Sequence, residues 1–215
     1  MAQIFPKWAN KLPAYSVGGI AVAAMIAPLF VWYYFSPEYT DVGYQPHQPV
    51  PYSHKLHVGE LGLDCRYCHV GVEVAAVASV PPTQVCMNCH QLVLRDSEKL
   101  APIRKSAETG DPMRWVRVHK VPEYAFFDHS VHISAGVGCS SCHGDIGDME
   151  EVRQVEPLSM GWCLQCHRDP DPHLRPPEQI FNTRWVAPEN QLALAAEIRQ
   201  SREIAPPEDC SACHR

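Results

Sequence analysis

The sequence predicts a mostly irregular, α-helical fold, in which short helices and loops pack on prosthetic groups with little sheet, behind one amino-terminal transmembrane helix. Three observations lead there. All ten cysteines of the 215-residue chain fall into five copies of Cys-x-x-Cys-His. Residues 16–35 form an apolar run without a charge. Twenty prolines, among them the pairs Pro81-Pro82, Pro176-Pro177 and Pro206-Pro207, break up regular structure elsewhere.

The apolar run reads SVGGIAVAAMIAPLFVWYYF. Twenty helical residues span about 30 Å, the thickness of the hydrocarbon core of a bilayer. Lys7 and Lys11 precede it, Glu38 and Asp41 lie just beyond, and no Lys or Arg follows until Lys55. That asymmetry places the amino terminus in the cytoplasm and the rest of the chain outside. Trp8 and Tyr15 on one side, and Trp32, Tyr33 and Tyr34 on the other, suit the two interfacial aromatic belts, and Pro28 is expected to kink or loosen the helix. Ala21-Val22-Ala23 resembles the cleavage tripeptide of a secretory signal, but the apolar run continues well past it, which favours an uncleaved anchor. The expected organisation is a cytoplasmic segment at 1–15, an anchor at 16–35 in the cytoplasmic (inner) membrane, and a periplasmic domain at 36–215.

The five motifs are Cys65-Arg66-Tyr67-Cys68-His69, Cys86-Met87-Asn88-Cys89-His90, Cys139-Ser140-Ser141-Cys142-His143, Cys163-Leu164-Gln165-Cys166-His167 and Cys210-Ser211-Ala212-Cys213-His214. Two thiols three residues apart can each form a thioether to a porphyrin vinyl group, and the adjacent histidine then becomes the proximal iron ligand. Zinc knuckles would need four ligands each, so an odd number of units leaves one unmatched. A thioredoxin-like dithiol needs one copy on a βαβ scaffold, and nothing here reads that way. The cofactors predicted are therefore five c-type haems, with iron bound by His69, His90, His143, His167 and His214. The fold is that of a multihaem cytochrome c, with short helices and loops packed on five haems.

Between the second and third motifs, residues 91–111 are charged and contain Pro102, so they are expected to form a surface excursion. A helix is expected over 189–203, where Leu192, Ala195, Ala196 and Ile198 fall on or near one stripe after Pro188.

Seven histidines remain as candidate distal ligands. A repeat picks out four of them: Tyr52-Ser53-His54-Lys55-Leu56-His57 precedes Cys65, and Phe127-Asp128-His129-Ser130-Val131-His132 precedes Cys139. On a helix a three-residue step sets both imidazoles on one face, where they can serve two closely packed haems. His119, just ahead of the second repeat, is the fifth candidate, and Met160 is the thioether candidate, whose ligation would raise a haem's potential. His47 and His173, set among prolines, read as loop residues.

The repeat resembles the small periplasmic trihaem and tetrahaem cytochromes. That resemblance implies that His54 ligates the haem on Cys65 and Cys68, that His129 ligates the haem on Cys139 and Cys142, and that His57 and His132 reach other haems. On a larger scale, the anchor, the segments QPVPYSHKLHVGELGLDCRYCH and PPTQVCMNCH, then VHKVPEYAFFDHSVHISAGVGCSSCHG and LSMGWCLQCHRDPDPHLRPPE, look like the pentahaem cytochrome c subunit of alternative complex III. This implies an electron-transfer subunit of a membrane-bound quinol-oxidising respiratory or photosynthetic complex, with no catalytic residues of its own. Implied partners are an iron–sulfur subunit, integral quinol-binding subunits, a monohaem cytochrome c and a soluble periplasmic acceptor, together with membrane lipid. The final motif lies one residue from the end of the sequence, so the fifth haem is expected to be enclosed by earlier segments or by a neighbouring subunit.

A side-chain net charge of −6, to which ionised haem propionates would add, excludes nucleic acid as a natural partner. A catalytic multihaem reductase would need an open iron, often at a Cys-x-x-Cys-Lys site, and no such motif is present. The remaining alternative is a self-standing, membrane-anchored multihaem quinol dehydrogenase that feeds a periplasmic reductase.

Overall fold

The computed structural model describes residues 4–214 and separates the chain into two compact units, one ending at Asp41 and one beginning at Val42. The first unit is helix α1 (Leu12–Tyr34), entered through a 3-10 turn and followed by the single turn α2 (Pro37–Thr40). Pro13 sits in the first turn of α1, where its missing N–H costs nothing. The helix runs through Pro28 without ending, and none of its residues is buried. Because it is apolar all round rather than along one stripe, it has no face to turn toward a core; Lys7–Tyr34 is long and apolar enough to cross a membrane.

The second unit is helical, with no strand among the described residues. Its helices are α3 (Cys65–Cys68), α4 (Thr83–His90), α5 (Ala101–Thr109), α6 (His129–Ala135), α7 (Ser140–His143), α8 (Met160–Arg168), α9 (Gln191–Arg202) and α10 (Cys210–Cys213). Extended pairing is confined to isolated bridges, Ala125 with His214 and Val137 with Leu174. The side-chain core is small and dispersed. One cluster among the described residues joins Leu174, Ala195 and Ile198 to Val137, Leu194 and Ile204, while Val50, Val72, Ile103, Met149 and Ile180 are buried elsewhere.

Two details of the sequence reading change. Pro102 initiates α5 instead of breaking the 91–111 segment, and Ile103 and Ser106 anchor that helix, Ser106 Oγ lying 2.6 Å from Thr83 Oγ1 at the start of α4. The excursion is thereby tied to the second Cys-x-x-Cys-His turn. In α9 the inward stripe is Leu194, Ala195 and Ile198, whereas Leu192 is 66% exposed. Ala195 and Ile198 of the expected stripe are buried, whereas Leu192 and Ala196 face outward and Leu194 packs inward in their place, against the cluster that contains Leu174.

Helix α6 stops at Gly136, whose φ of +94° is a left-handed conformation that a side chain disfavours. A Cβ there would also lie 2.9 Å from the Arg175 carbonyl oxygen, and Arg175 N–H donates to Gly136 O at 2.8 Å. Gly136→Ala is expected to destabilise the second unit by about 1–2 kcal/mol from backbone conformation alone, with the carbonyl collision adding to it. Denaturant titration followed by haem absorbance would measure the loss.

Candidate haem sites

Each Cys-x-x-Cys-His motif lies on a helical turn: α3, the end of α4, the turn leading into α7, the middle of α8, and α10. The three-residue step then puts both thiols on one side of the turn, and the histidine follows at its end. Side-chain caps start three of these helices. Asp64 accepts from Arg66 N, Ser159 from Trp162 N and Asp209 from Ala212 N, satisfying donors that the first helical turn leaves free.

Burial raises the thiols of the first, third and fourth motifs and that of Cys86. Burial pushes Cys142 up to about 12, with Cys166 and Cys163 adding to it, and Cys139 up to about 11, with Cys65 adding to it. Cys68 is raised by burial and then by Cys86, and Cys163 by burial and then by Cys213. This is the opposite of the lowered thiol of a redox dithiol.

The histidines share a further pattern. A ring Nδ1 lies within hydrogen-bond reach of a backbone carbonyl in His57 (Ser53 O, 2.8 Å), His69 (Ser79 O, 2.8 Å), His90 (Val93 O, 3.0 Å) and His129 (Ala76 O, 2.8 Å). The same holds for His132 (Asp128 O, 2.7 Å), His167 (Pro207 O, 2.6 Å) and His214 (Tyr124 O, 3.2 Å). A carbonyl accepts only from N–H, so this contact selects the tautomer whose Nε2 lone pair is free for a metal. Burial holds His54 and His119 near about 4 and His143 near about 3, and it lowers His132 too, so these imidazoles are neutral and able to ligate.

Two imidazoles that bind one metal from opposite sides, with metal–nitrogen bonds of about 2 Å, have ring centroids roughly 6 Å apart. Three pairs fall there: His57 with His90 at 6.2 Å, His132 with His167 at 6.1 Å, and His129 with His143 at 6.4 Å. Each joins one histidine of the repeats to one motif histidine, so the residues present fit bis-histidine haem. His54 is lowered first by burial and then by the nearby His69 and His57, and its buried Nδ1 lacks a hydrogen-bond partner.

His119 behaves differently. Its ring meets His143 edge-on at 4.3 Å, too close to hold an iron between them, and its buried Nε2 also lacks a partner. Met160 opens α8 two-thirds exposed, on the same helix as His167, while His132 stands at the iron-spanning distance from that histidine. His47 is exposed, and His173 is half-buried in a 3-10 turn.

The sequence reading quoted the aromatic residue heading each repeat without giving it a role. Tyr52 meets His54 edge-on at 4.8 Å and stacks on His57 at 4.5 Å; Phe127 meets His129 edge-on at 4.8 Å and stacks on His132 at 4.6 Å. One ring thus wedges two imidazoles into different planes, and the repeated spacing of aromatic to histidine was the signal for it. Phe127→Leu is expected to retain all covalent haem while shifting the low-spin g values of the haem that His132 faces, measured by EPR of the oxidised protein. Arg175 was missed altogether. It is buried beside Cys139 and donates to Ser140 Oγ at 2.5 Å and to Asn182 O at 3.1 Å.

Residues 125–215 match the family model of cytochrome c7 and related cytochrome c. The chain is also 29% identical over 174 residues, 70% of its own length and 81% of the relative's, to the menaquinone reductase, multiheme cytochrome c subunit, of Nitratidesulfovibrio vulgaris. With five helical Cys-x-x-Cys-His turns, three of whose histidines face a repeat histidine at an iron-spanning distance, the chain has a cytochrome c7-like helical multihaem fold.

Proposed function

We propose that the chain is the electron-transfer subunit of a membrane-bound quinol-oxidising complex of the alternative complex III type, relaying electrons through five c-type haems toward a periplasmic acceptor. The observation that carries this reading is the set of histidine pairs at 6.1–6.4 Å, because a metal held on both sides transfers electrons without offering an open position to a substrate. When bound, c-type haem supplies reversible one-electron chemistry at iron. The chain's own residues attach it, through Cys65, Cys68, Cys86, Cys89, Cys139, Cys142, Cys163, Cys166, Cys210 and Cys213, and hold the iron through the motif histidines.

The distal set proposed is His54 for the first motif, His57 for the second, His129 for the third and His132 for the fourth. His119, with its orphaned Nε2, is the fifth candidate distal ligand, and its ring lies against His143 of the third motif, so no motif is assigned to it. Met160 is left outside this set, because His132 faces His167. α1 anchors the subunit in the cytoplasmic membrane with the haem domain on the periplasmic side, and one uncharged helix offers no quinol pocket, so partner subunits bind quinol. The proposed partners are an iron–sulfur subunit, integral quinol-binding subunits and a monohaem cytochrome c.

One observation favours a second direction of flow: the relative in Nitratidesulfovibrio vulgaris is a menaquinone reductase subunit, in which electrons would travel toward quinone. Purification in mild detergent, followed by assays with quinol plus an oxidised acceptor and with quinone plus a reduced donor, decides between them. Co-purification of partner subunits with quinol oxidation supports the proposal. A lone, quinol-oxidising chain would establish the self-standing dehydrogenase instead. Carbon monoxide is expected to change the reduced spectrum little, and stoichiometric binding at one haem would show an open, catalytic iron.

A further inference from the structure

We propose that the five haem-attachment sites are strung in space in the order second, first, third, fourth, fifth, so that the second and fifth sites are the two ends at which electrons pass to and from partners. This inference rests on the electron-transfer reading above and gives it a direction-independent geometry. The contacts that link consecutive sites are independent of one another.

The second and first sites meet through one π-helical segment. His54 caps Lys55–Glu60, His57 lies within it, and His57 faces His90 at 6.2 Å. Tyr52 touches both of these repeat histidines, and Asn88 Nδ2 donates to Tyr67 Oη at 3.1 Å, joining the middle residues of the two motifs. The first and third sites share the chain at 180–181, where Cys139 N–H donates to Ile180 O at 3.3 Å and Cys65 Sγ lies 4.0 Å from Phe181 O. The loop after the first motif also holds the third site's facing histidine, since Ala76 O accepts from both His129 N (3.1 Å) and His129 Nδ1 (2.8 Å).

The third and fourth sites share α6, one turn of which presents His129 to His143 and His132 to His167. The fourth and fifth meet where the chain approaches Cys210: His167 Nδ1 bonds Pro207 O at 2.6 Å, and Arg168 Nε bonds Glu208 at 3.0 Å. The chain order of the motifs is therefore exchanged once. The reason is that the short link from 69 to 83 lets the second motif fold back outside the first, leaving the first motif against the third.

Distal variants of the full holoprotein test this. His57→Ala and His54→Ala should each still carry five haems by mass and each contain one high-spin ferric iron. A high-spin iron broadens the EPR signals of low-spin irons beside it. His57→Ala, at an end, is expected to broaden one neighbour's signal, and His54→Ala, at an inner position, two. The reverse pattern, or equal numbers, overturns the order. If either variant fails to accumulate, Cys86→Ser with Cys89→Ser removes the second site outright and should relieve dipolar broadening at one remaining signal, whereas Cys65→Ser with Cys68→Ser should relieve it at two; any other pattern overturns the order. Fewer than five haems on the unaltered chain would overturn the functional reading and this order with it, whereas five haems with the wrong pattern overturn the order alone.

Discussion

Replacing His129 with alanine is expected to leave every covalently bound haem in place and to turn one of them high-spin. Attachment depends on Cys139, Cys142 and the proximal His143, none of which the change touches, whereas the imidazole 6.4 Å from His143 is removed. The low-spin absorbance should fall by roughly one-fifth if the five haems contribute equally, and the vacated position should now take up carbon monoxide. Cys139→Ser with Cys142→Ser should behave differently, lowering the mass by one haem. A fully low-spin His129→Ala protein would show that another side chain is the ligand. His54→Ala at the first motif is expected to give the same spectroscopic result, which tests the assignment implied by the resemblance to the small trihaem and tetrahaem cytochromes.

The second large effect concerns the amino-terminal helix. Replacing residues 1–35 with a cleavable signal peptide is expected to release the protein from the membrane with all five haems retained, because no motif and no proposed ligand lies before Tyr44. α1 and the haem-binding residues belong to separate compact units, so no side chain at a site is lost. Removal of roughly twenty apolar residues eliminates the insertion free energy that holds a single-pass protein in a bilayer. Quinol oxidation by the assembled complex should fall through lost docking and not through a lost quinol site. Mass spectrometry of the native amino terminus is the complementary measurement: an intact start supports the anchor, and a mature terminus near Ala24 would identify a signal peptide.

The amino-acid sequence alone determined whatever depends on residues close together along the chain. The Cys-x-x-Cys-His turns and the apolar run are complete local patterns, and so is the helix expected over 189–203, which appears as Gln191–Arg202. The histidine repeat was legible for the same reason, since a three-residue step has meaning within one turn. Tertiary structure decided what depends on residues far apart. His57 meets His90, and His132 meets His167, across more than thirty residues, and no period in the sequence connects them. The face of α9 that turns inward depends on Leu174, and Pro102 reads as a breaker until Ile103 and Ser106 are seen to anchor the helix it begins. The spatial exchange of the first two motifs follows equally from long-range contacts, at Phe181 O and Ala76 O. Local chemistry specifies what each turn binds, but the distance between turns is set by packing, and only the folded chain brings two imidazoles to opposite sides of one iron.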